Sequence, residues 1–323
     1  MRIVFTIYIV LMHGESIFRD TSAGKLFGGG YIGVEFFFIV SGYYIGEKAE
    51  AKVDVIDFLK ARLKRLYPHY FLSLTLATFM HNINSISDFL SRLRDLFWSL
   101  LMLQNMGLNI TLYNGYLWYV TYLIFCGTLV YCALVKFNRK IVNVLSVIFV
   151  ITFYSLYTYF FKTIDNSNSI IILPLSVYRA FAGILWGTLI YKIVNRGYFN
   201  HEKYDFIKKI VVSAFLFLGL LMSFLNFHTP YDLLIVLCFA ICIGVSATMK
   251  SIDGSNCFKK VVVYIGRKTY PLYCYQVIAF FIVRKITFAK SIFGVLFVCI
   301  AISLLFDQII NMVKSRKSIM KHL

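Results

Sequence analysis

Residues 28–46 read GGGYIGVEFFFIVSGYYIG, a glycine-rich start followed by an apolar run with one carboxylate, Glu35. The first six letters match G-x-G-x-x-G, the fingerprint of a dinucleotide-binding loop. That fingerprint requires a β-strand before it and a soluble helix after it. Here a short loop precedes the glycines and a membrane-like apolar run follows. We therefore interpret the stretch as the entry and body of a membrane helix, in which Gly33 and Gly42 let a neighbouring helix approach closely.

The composition of the whole chain points the same way. Of its 323 residues, 59% are hydrophobic, and the mean hydropathy is +0.74. A soluble domain is only about 45–50% apolar. One soluble domain of this length cannot bury the excess, so the sequence predicts an all-α polytopic membrane protein.

The net charge of +18 comes from short basic clusters between the apolar runs. The clusters lie at 48–65, 136–140, 192–209, 250–260 and 314–321. This is the distribution expected of cytoplasmic loops under the positive-inside rule. We therefore expect membrane lipids as neighbours and no nucleic-acid partner.

Ten apolar stretches are long enough, or nearly so, to cross a hydrocarbon core of about 30 Å. They cover residues 2–18, 31–46, 66–80, 116–135, 141–161, 170–191, 210–227, 231–249, 265–283 and 291–313. The stretch 96–106 is too short to cross, and omitting it keeps the basic clusters on one side of the membrane, so we predict a re-entrant or interfacial segment there. The sequence thus predicts about ten transmembrane helices with both termini cytoplasmic, although the basic residues at 284–290 then fall outside. The lack of any long hydrophilic segment predicts a single membrane domain over 1–323, with no appended soluble domain.

Metal chemistry is not expected. The seven cysteines show no C-x-x-C pair and lie mostly in apolar runs, where they behave as small hydrophobes. The histidines other than His13 form no ligand pair at helical spacing. They are His69, His81, His201, His228 and His322.

A carboxylate inside a membrane span is costly, so Glu35 is a candidate functional residue that needs a partner. His13 is the partner suggested by depth, because it lies roughly 16 Å along the first helix from Arg2 at 1.5 Å per residue. Glu35 begins a few residues from the outer boundary and therefore lies in the same half of the membrane. The alternative is a structural ion pair between Glu35 and Arg179, which also starts on the outer side of its helix.

Three sequence elements follow one another in a fixed order and spacing. Arg2 and His13 form R-x10-H, GVEFFFIVSGY (33–43) fits G-V-[DE]-x-F-F-x-x-S-G-[FY], and FLKARLKRLYPHY (58–70) fits F-x-x-x-R-x-x-R-x-x-P. Together they resemble acyltransferase family 3, the integral membrane acyltransferases that O-acylate bacterial cell-surface sugars. Weaker matches extend the resemblance over nearly the whole chain: LWYV (117–120), RAFAGILWG (179–187) and IGRKTYPLYCYQ (265–276).

Two positions depart from the family pattern. Many members carry a glutamate five residues after the tryptophan of the fifth helix, where this chain has Leu123. Many also end the last motif in histidine, where this chain has Gln276. Acyl transfer remains the expectation, whereas the acceptor and its contacts are left open.

The resemblance implies an O-acyltransferase, most simply an O-acetyltransferase, that uses cytoplasmic acetyl-CoA. His13 is the expected base because imidazole titrates near neutrality. Glu35 is expected to fix the tautomer of His13, as a carboxylate does in hydrolytic triads. Direct transfer and a covalent acyl-histidine both remain open.

The donor is expected to bind through arginines at the cytoplasmic face. Guanidinium forks suit phosphate oxygens, so Arg2, Arg62 and Arg65 are predicted to hold the nucleotide phosphates. Ser41 and Gly42 are predicted to let the thioester pass. The alternatives are ordinary positive-inside charge for the arginines and simple small-residue packing for Ser41 and Gly42. Pro68 is expected to cap the start of the third helix.

The acceptor is expected to meet Arg179, Trp118 and Tyr119. It would be a surface polysaccharide, its lipid-linked precursor or a glycolipid. The enzyme is expected in the inner membrane of a bacterium, with homo-oligomerisation left open.

The aromatic run YSLYTYFF (154–161) is interpreted as interface belt and lipid contact, with a sugar groove as the alternative. Two other functions compete. A transporter or flippase would use Glu35 and Arg179 as substrate or proton-relay charges, and a polysaccharide polymerase would need a long external loop.

Overall fold

Eleven α-helices form nearly all of the described chain. The computed structural model describes residues 1–18, 24–80, 82–104, 110–165, 169–170, 173–197, 204–225, 228–249, 256–286 and 290–319. The helices are α1 (Arg2–Gly14), α2 (Ile32–Glu50), α3 (Val55–Phe79), α4 (Ile86–Leu100), α5 (Trp118–Lys136), α6 (Arg139–Phe161), α7 (Leu175–Asn195), α8 (Asp205–Leu225), α9 (Asp232–Ala247), α10 (Asn256–Lys285) and α11 (Ile292–Ile319). Two-residue strands β1 (Ser169–Ile170) and β2 (Leu173–Pro174) pair antiparallel. Apart from this short pair, the predicted all-α class is confirmed.

Six helices of the described chain are long and apolar enough to cross a membrane. They are Leu26–Glu50, Gly115–Lys136, Arg139–Phe161, Leu175–Asn195, Asp205–Leu225 and Ile292–Ser315. Helix α9 is apolar but shorter. Each of the ten predicted stretches overlaps one helix. The chain is therefore a multi-pass membrane protein, while the count of ten crossings and the cytoplasmic termini stay predictions.

The third helix begins earlier than its proline suggests. Pro68 lies inside α3, which starts at Val55, so the prediction that Pro68 caps the start of this helix is wrong. Proline removes one backbone hydrogen bond, and helices in membranes tolerate this because neighbouring groups satisfy the freed carbonyl. The basic turn that contains Arg62 is therefore helical rather than a loop.

Helix α4 is amphipathic, and its apolar side faces away from the protein. Its first turn is capped by Ser85, whose side chain accepts the Asp88 backbone N–H at 3.0 Å. The exposed face carries large apolar residues, and the buried face carries three polar residues and one leucine. The exposed residues are Ile86, Phe89, Leu90, Leu93 and Phe97; the buried ones are Arg92, Asp95, Leu96 and Ser99. An amphipathic helix of this kind suits the membrane interface.

Hydrogen bonds hold the polar face of α4 to the end of α3. Arg92 donates to Asp88 at 2.9 Å, to the carbonyl of Thr78 at 3.3 Å and to that of Asn82 at 2.6 Å. The Tyr70 hydroxyl donates to the carbonyl of Ser99 at 2.5 Å. The predicted non-spanning segment 96–106 thus overlaps the last turn of α4, and its residues 105–106 lie outside the described chain. Its position in the membrane plane stays a prediction.

Packing divides the described chain into two compact units. The first contains Met1–Lys25, Arg62–Thr121 and Asn256–Leu323, and in it α1 packs on both α10 and α11. The second contains Leu26–Ala61 and Tyr122–Ser255. In it, α2 packs on α7 and α9, α6 packs on α7, and α8 packs on α9. The expectation of a single domain stays a prediction.

Glycines bring α2 and α7 of the second unit into backbone contact. A Cβ added at Gly42 would lie 2.8 Å from the carbonyl carbon of Ile184, and one added at Gly187 would lie 2.7 Å from the backbone nitrogen of Tyr43. Small residues permit such close approach between membrane helices. Gly42 therefore acts as a packing residue in this structure, as predicted from the opening stretch.

Candidate functional site

His13 lies at the end of α1, held between a glutamine and a tyrosine. Its Nδ1 is 3.0 Å from Oε1 of Gln276. Its ring stacks on that of Tyr116, with centroids 3.7 Å apart and planes 16° from parallel. Since an amide oxygen only accepts hydrogen bonds, this contact places the proton on Nδ1 and leaves the lone pair on Nε2.

The surroundings of His13 fix it in this position. Gly14 follows it in close contact with Phe280 and Val295, since a Cβ added there would lie 3.4 Å from each side chain. Tyr116 lies in the 3-10 turn Gly115–Leu117, and its backbone carbonyl accepts a hydrogen bond from the Tyr273 hydroxyl. Helix α10 thus supplies both the hydrogen-bond partner of His13 and the support for its stacking partner.

Glu35, in the second unit, is fully buried and has partners on both oxygens. Oε2 accepts from Nε of Arg179 at 2.8 Å, and Oε1 accepts from the Tyr154 hydroxyl. Arg179 also donates to the carbonyl of Tyr31 at 2.8 Å and lies 3.4 Å from Asp165. The ion pair weighed as the structural alternative is therefore formed, and a catalytic role for Glu35 stays a prediction.

The hydrogen bond from Tyr154 also changes the interpretation of the aromatic run at 154–161. Tyr154 and Tyr157 are buried, whereas Tyr159 and Phe160 are exposed. The prediction of an aromatic belt in contact with lipid is therefore wrong for these two buried tyrosines. Residues three apart on a helix share one face, and on this face Tyr154 donates to the buried Glu35.

Sequence reasoning missed Asp232, which completes the polar network of the second unit. Its carboxylate accepts from the Tyr31 hydroxyl at 2.7 Å, from the Thr163 hydroxyl at 2.7 Å and from the Ile164 backbone N–H at 3.0 Å. The sequence signal was a single aspartate that opens an apolar helix. Three neutral donors on one buried carboxylate indicate a structural role, in which Asp232 holds the segment that precedes β1 in place.

A second missed cluster in the first unit joins α3, α10 and α11. Nε2 of His69 lies 3.3 Å from Asp307, which also accepts from Lys268. Nδ1 of His69 lies 3.3 Å from the hydroxyl of Tyr275. All ring nitrogens of His69 thus contact groups of the protein itself, which indicates a structural histidine.

The predicted donor residues differ in exposure. Arg62 is buried, whereas Arg2 and Arg65 are exposed. Ser41 is half-buried beside Gly42. Contact of these residues with a donor stays a prediction.

The predicted acceptor residues on α5 lie at the start of that helix. The ring of Trp118 meets that of Tyr119 edge to face at 6.4 Å, and Tyr119 meets Tyr273 at 5.6 Å. Because Tyr273 also bonds to Tyr116, Tyr119 is connected to the support of His13. Arg179 instead forms the buried ion pair with Glu35.

In the described ranges, no three His, Cys, Asp or Glu side chains are grouped so that they would hold a metal ion. His81, His201 and His322 lie outside those ranges.

Comparison with known proteins gives one match. The family model of acyltransferase family 3, described as an acyltransferase domain, matches residues 1–307 of the 323. No curated protein and no solved structure matches the chain. The matched range includes His13 with its partners Tyr116 and Gln276, and it covers nearly all of the described helices. The chain therefore belongs to acyltransferase family 3 and is a membrane acyltransferase.

Proposed function

We propose that this protein is an O-acetyltransferase of the bacterial inner membrane. It takes the acetyl group of cytoplasmic acetyl-CoA and places it on a hydroxyl group of a surface polysaccharide, its lipid-linked precursor or a glycolipid. Family membership supports acyl transfer. The basic turn of α3 supports a CoA donor, and the resemblance of the motifs supports a sugar acceptor.

The arrangement of His13 is the observation that carries the proposal. A hydroxyl group is a weak nucleophile until a base takes its proton. His13 stacks on Tyr116 and offers Nδ1 to Gln276 at 3.0 Å, so its Nε2 has the lone pair that a general base needs.

The reaction follows from that tautomer. The acceptor hydroxyl oxygen forms a bond to the thioester carbonyl carbon while Nε2 of His13 takes the hydroxyl proton. The carbonyl oxygen becomes an oxyanion, and the carbon–sulfur bond then breaks. The leaving thiolate receives the proton from Nε2, which gives free CoA, the ester and the original histidine. An acyl-histidine route would have Nε2 attack the thioester first, and it needs the same lone pair.

The basic turn of α3 is the proposed donor clamp. CoA carries several phosphate oxygens, for which guanidinium groups are well suited. Arg62 and Arg65 lie on this turn together with Lys60 and Lys64. We assign donor binding to the two arginines and ordinary surface charge to the two lysines.

Binding of acetyl-CoA to the purified protein tests the donor. Wild-type protein should bind it saturably, and an Arg62→Ala, Arg65→Ala double variant should lose this binding. A Lys60→Ala, Lys64→Ala double variant is the matched control, since it removes the same charge from the same turn. Equal losses in both variants would reduce the arginines to general surface charge. No binding by the wild type would favour the transport alternative.

Slow hydrolysis of acetyl-CoA without acceptor tests the base. The wild type should release free thiol, and His13→Ala should lower the rate by about 10²–10⁴-fold, the usual contribution of a general base. His228→Ala is the histidine control, because His228 is exposed and lies in a loop. A His13→Ala protein with full activity would remove the mechanism. A transporter would show no hydrolysis in any variant.

A further inference from the structure

Within the described residues, the side-chain amide of Gln276 is hydrogen-bonded through its oxygen but not through its nitrogen. Its side chain is fully buried, its Oε1 contacts Nδ1 of His13, and its Nε2 has no hydrogen-bond partner in the described part of the chain. Leaving a buried amide donor unsatisfied is unfavourable, and native proteins rarely do so without a reason. The orphaned N–H group lies on the same planar carboxamide that holds the candidate base.

Taking the proposed acyl transfer as the reaction, we propose that both ends of the Gln276 carboxamide serve it. The oxygen keeps His13 in the Nδ1–H tautomer, and the amide N–H donates to the carbonyl oxygen of the donor thioester. Gln276 is thus a positioning residue through its oxygen and a catalytic residue through its nitrogen.

The oxygen end determines which ring nitrogen of His13 carries the proton. If Nδ1 lost its hydrogen bond, the proton would be free to lie on either nitrogen, and the tautomer with Nε2–H cannot accept the hydroxyl proton. The Gln276 oxygen accepts but cannot donate, so it selects the productive tautomer. Because glutamine is uncharged, it does so without stabilising the imidazolium as a carboxylate would.

The nitrogen end acts on the charge that develops during the reaction. The thioester carbonyl oxygen becomes an oxyanion when the hydroxyl attacks, and a pre-oriented N–H donor in a dry site stabilises that charge. Gln276 lies on α10 directly after residues that are themselves held in place. Tyr273 bonds to Tyr116, and Tyr275 stacks on Phe306 with ring centroids 4.8 Å apart. The amide therefore needs little reorganisation when the oxyanion forms.

The charged and titratable groups near His13 and Gln276 bear on what a pH profile will report. Among the elements packed on α1, α10 contributes Arg284, which donates to the Ser16 hydroxyl at 3.2 Å, and the turn after α1 contributes Glu15. Helix α11 contributes the apolar Val295 beside Gly14. The ring of Tyr116, a titratable group, is in direct contact with the ring of His13.

Two substitutions separate the two ends of the carboxamide. Gln276→Glu keeps an acceptor for Nδ1–H but lacks the amide N–H and adds charge. The acid limb of its pH–rate profile should move to higher pH by about one unit, because a neighbouring carboxylate favours the imidazolium. Its plateau kcat should fall about 100-fold, the usual effect of removing one oxyanion donor. Gln276→Met lacks both functions and should lose at least as much kcat.

A second buried glutamine provides the control. Gln104 is also buried in the first unit, and it donates to the Thr121 hydroxyl at 3.3 Å while its Oε1 has no partner in the described residues. Gln104→Met and Gln104→Glu should leave the pH profile in place. Gel filtration and thermal melting would show that each variant is folded, so that loss of rate is read only from folded protein.

Each end of the carboxamide can be refuted separately. An unmoved acid limb in Gln276→Glu overturns the tautomer role, and an undiminished plateau kcat in the same variant overturns the donor role. Equal effects of the Gln104 substitutions would reduce both to general packing. If the wild-type protein does not hydrolyse acetyl-CoA, or if His13→Ala does not lower that activity, the proposed function itself fails. A functional wild type with unaffected Gln276 variants removes only the present inference.

Discussion

Replacing Gly42 by alanine is expected to destabilise the protein by about 2 kcal/mol. The added Cβ would lie 2.8 Å from the carbonyl carbon and 2.9 Å from the Cα of Ile184. Overpacking costs about 1–3 kcal/mol, and here the upper end applies because backbone atoms cannot rotate away. The better helix propensity of alanine returns about 1 kcal/mol. The helices α2 and α7 must therefore move apart, and with them the groups that hold Glu35 and Arg179.

Thermal melting in detergent measures this effect. At about 2 °C per kcal/mol for a chain of this size, Gly42→Ala should lower the Tm by about 4 °C. Gly266→Ala is the matched control, since no atom lies within 4 Å of a Cβ added there. Because α10 is helical at this position, that variant should raise the Tm by about 2 °C.

The two glycines together decide between two roles for Gly42. An unchanged Tm in Gly42→Ala, with acetyl-CoA turnover lost, would refute the packing argument and restore a passage for the thioester. A lowered Tm with turnover reduced only in proportion to the folded fraction would support packing. The pattern with both variants destabilised would show that the chosen conditions do not resolve helix contacts.

Two further perturbations address the buried charges and the exposed face of α4. Arg179→Met alone should cost about 3–5 kcal/mol because it leaves Glu35 buried without its cation, whereas an Arg179→Met, Glu35→Gln double variant should recover part of that loss; equal melting temperatures of the single and double variants would contradict the pairing. Tryptophan fluorescence of a Trp118→Phe, Trp186→Phe protein reports on Trp98 of α4, and lipids brominated near the headgroup should quench it more than lipids brominated near the chain ends. The reverse order would place α4 deep in the bilayer.

The sequence was sufficient for the class of fold because apolar run length is a local property. Each predicted span overlaps one helix. The predicted start of the third helix at Pro68 was wrong because proline usually occupies the first turn of a helix, whereas α3 continues through it. The short stretch at 96–106 illustrates the same limit. The stretch covers only the last turn of α4, and the sequence did not reveal that this helix begins at Ile86. The polar residues before the stretch would also suit a surface loop, whereas they form the side of α4 that packs on α3.

The candidate site was only partly predictable because its contacts join distant parts of the chain. The R-x10-H motif identified His13, and Glu35 was visible as a charge in an apolar run. Their partners were not, since nothing local links His13 to Gln276 or Glu35 to Tyr154. Gln276 was noted only as a departure from a motif, and the structure gives that departure a chemical meaning: an uncharged acceptor at Nδ1.

The separation of His13 from Gln276 by 263 residues has a consequence for biosynthesis. At about 5–20 residues per second, the ribosome makes α10 roughly 13–50 s after α1. Until then α1 lacks the helix that supplies the hydrogen-bond partner of its imidazole. Under the proposed mechanism, nascent and truncated chains that lack α10 are expected to be inactive, because His13 then has no Gln276 to set its tautomer.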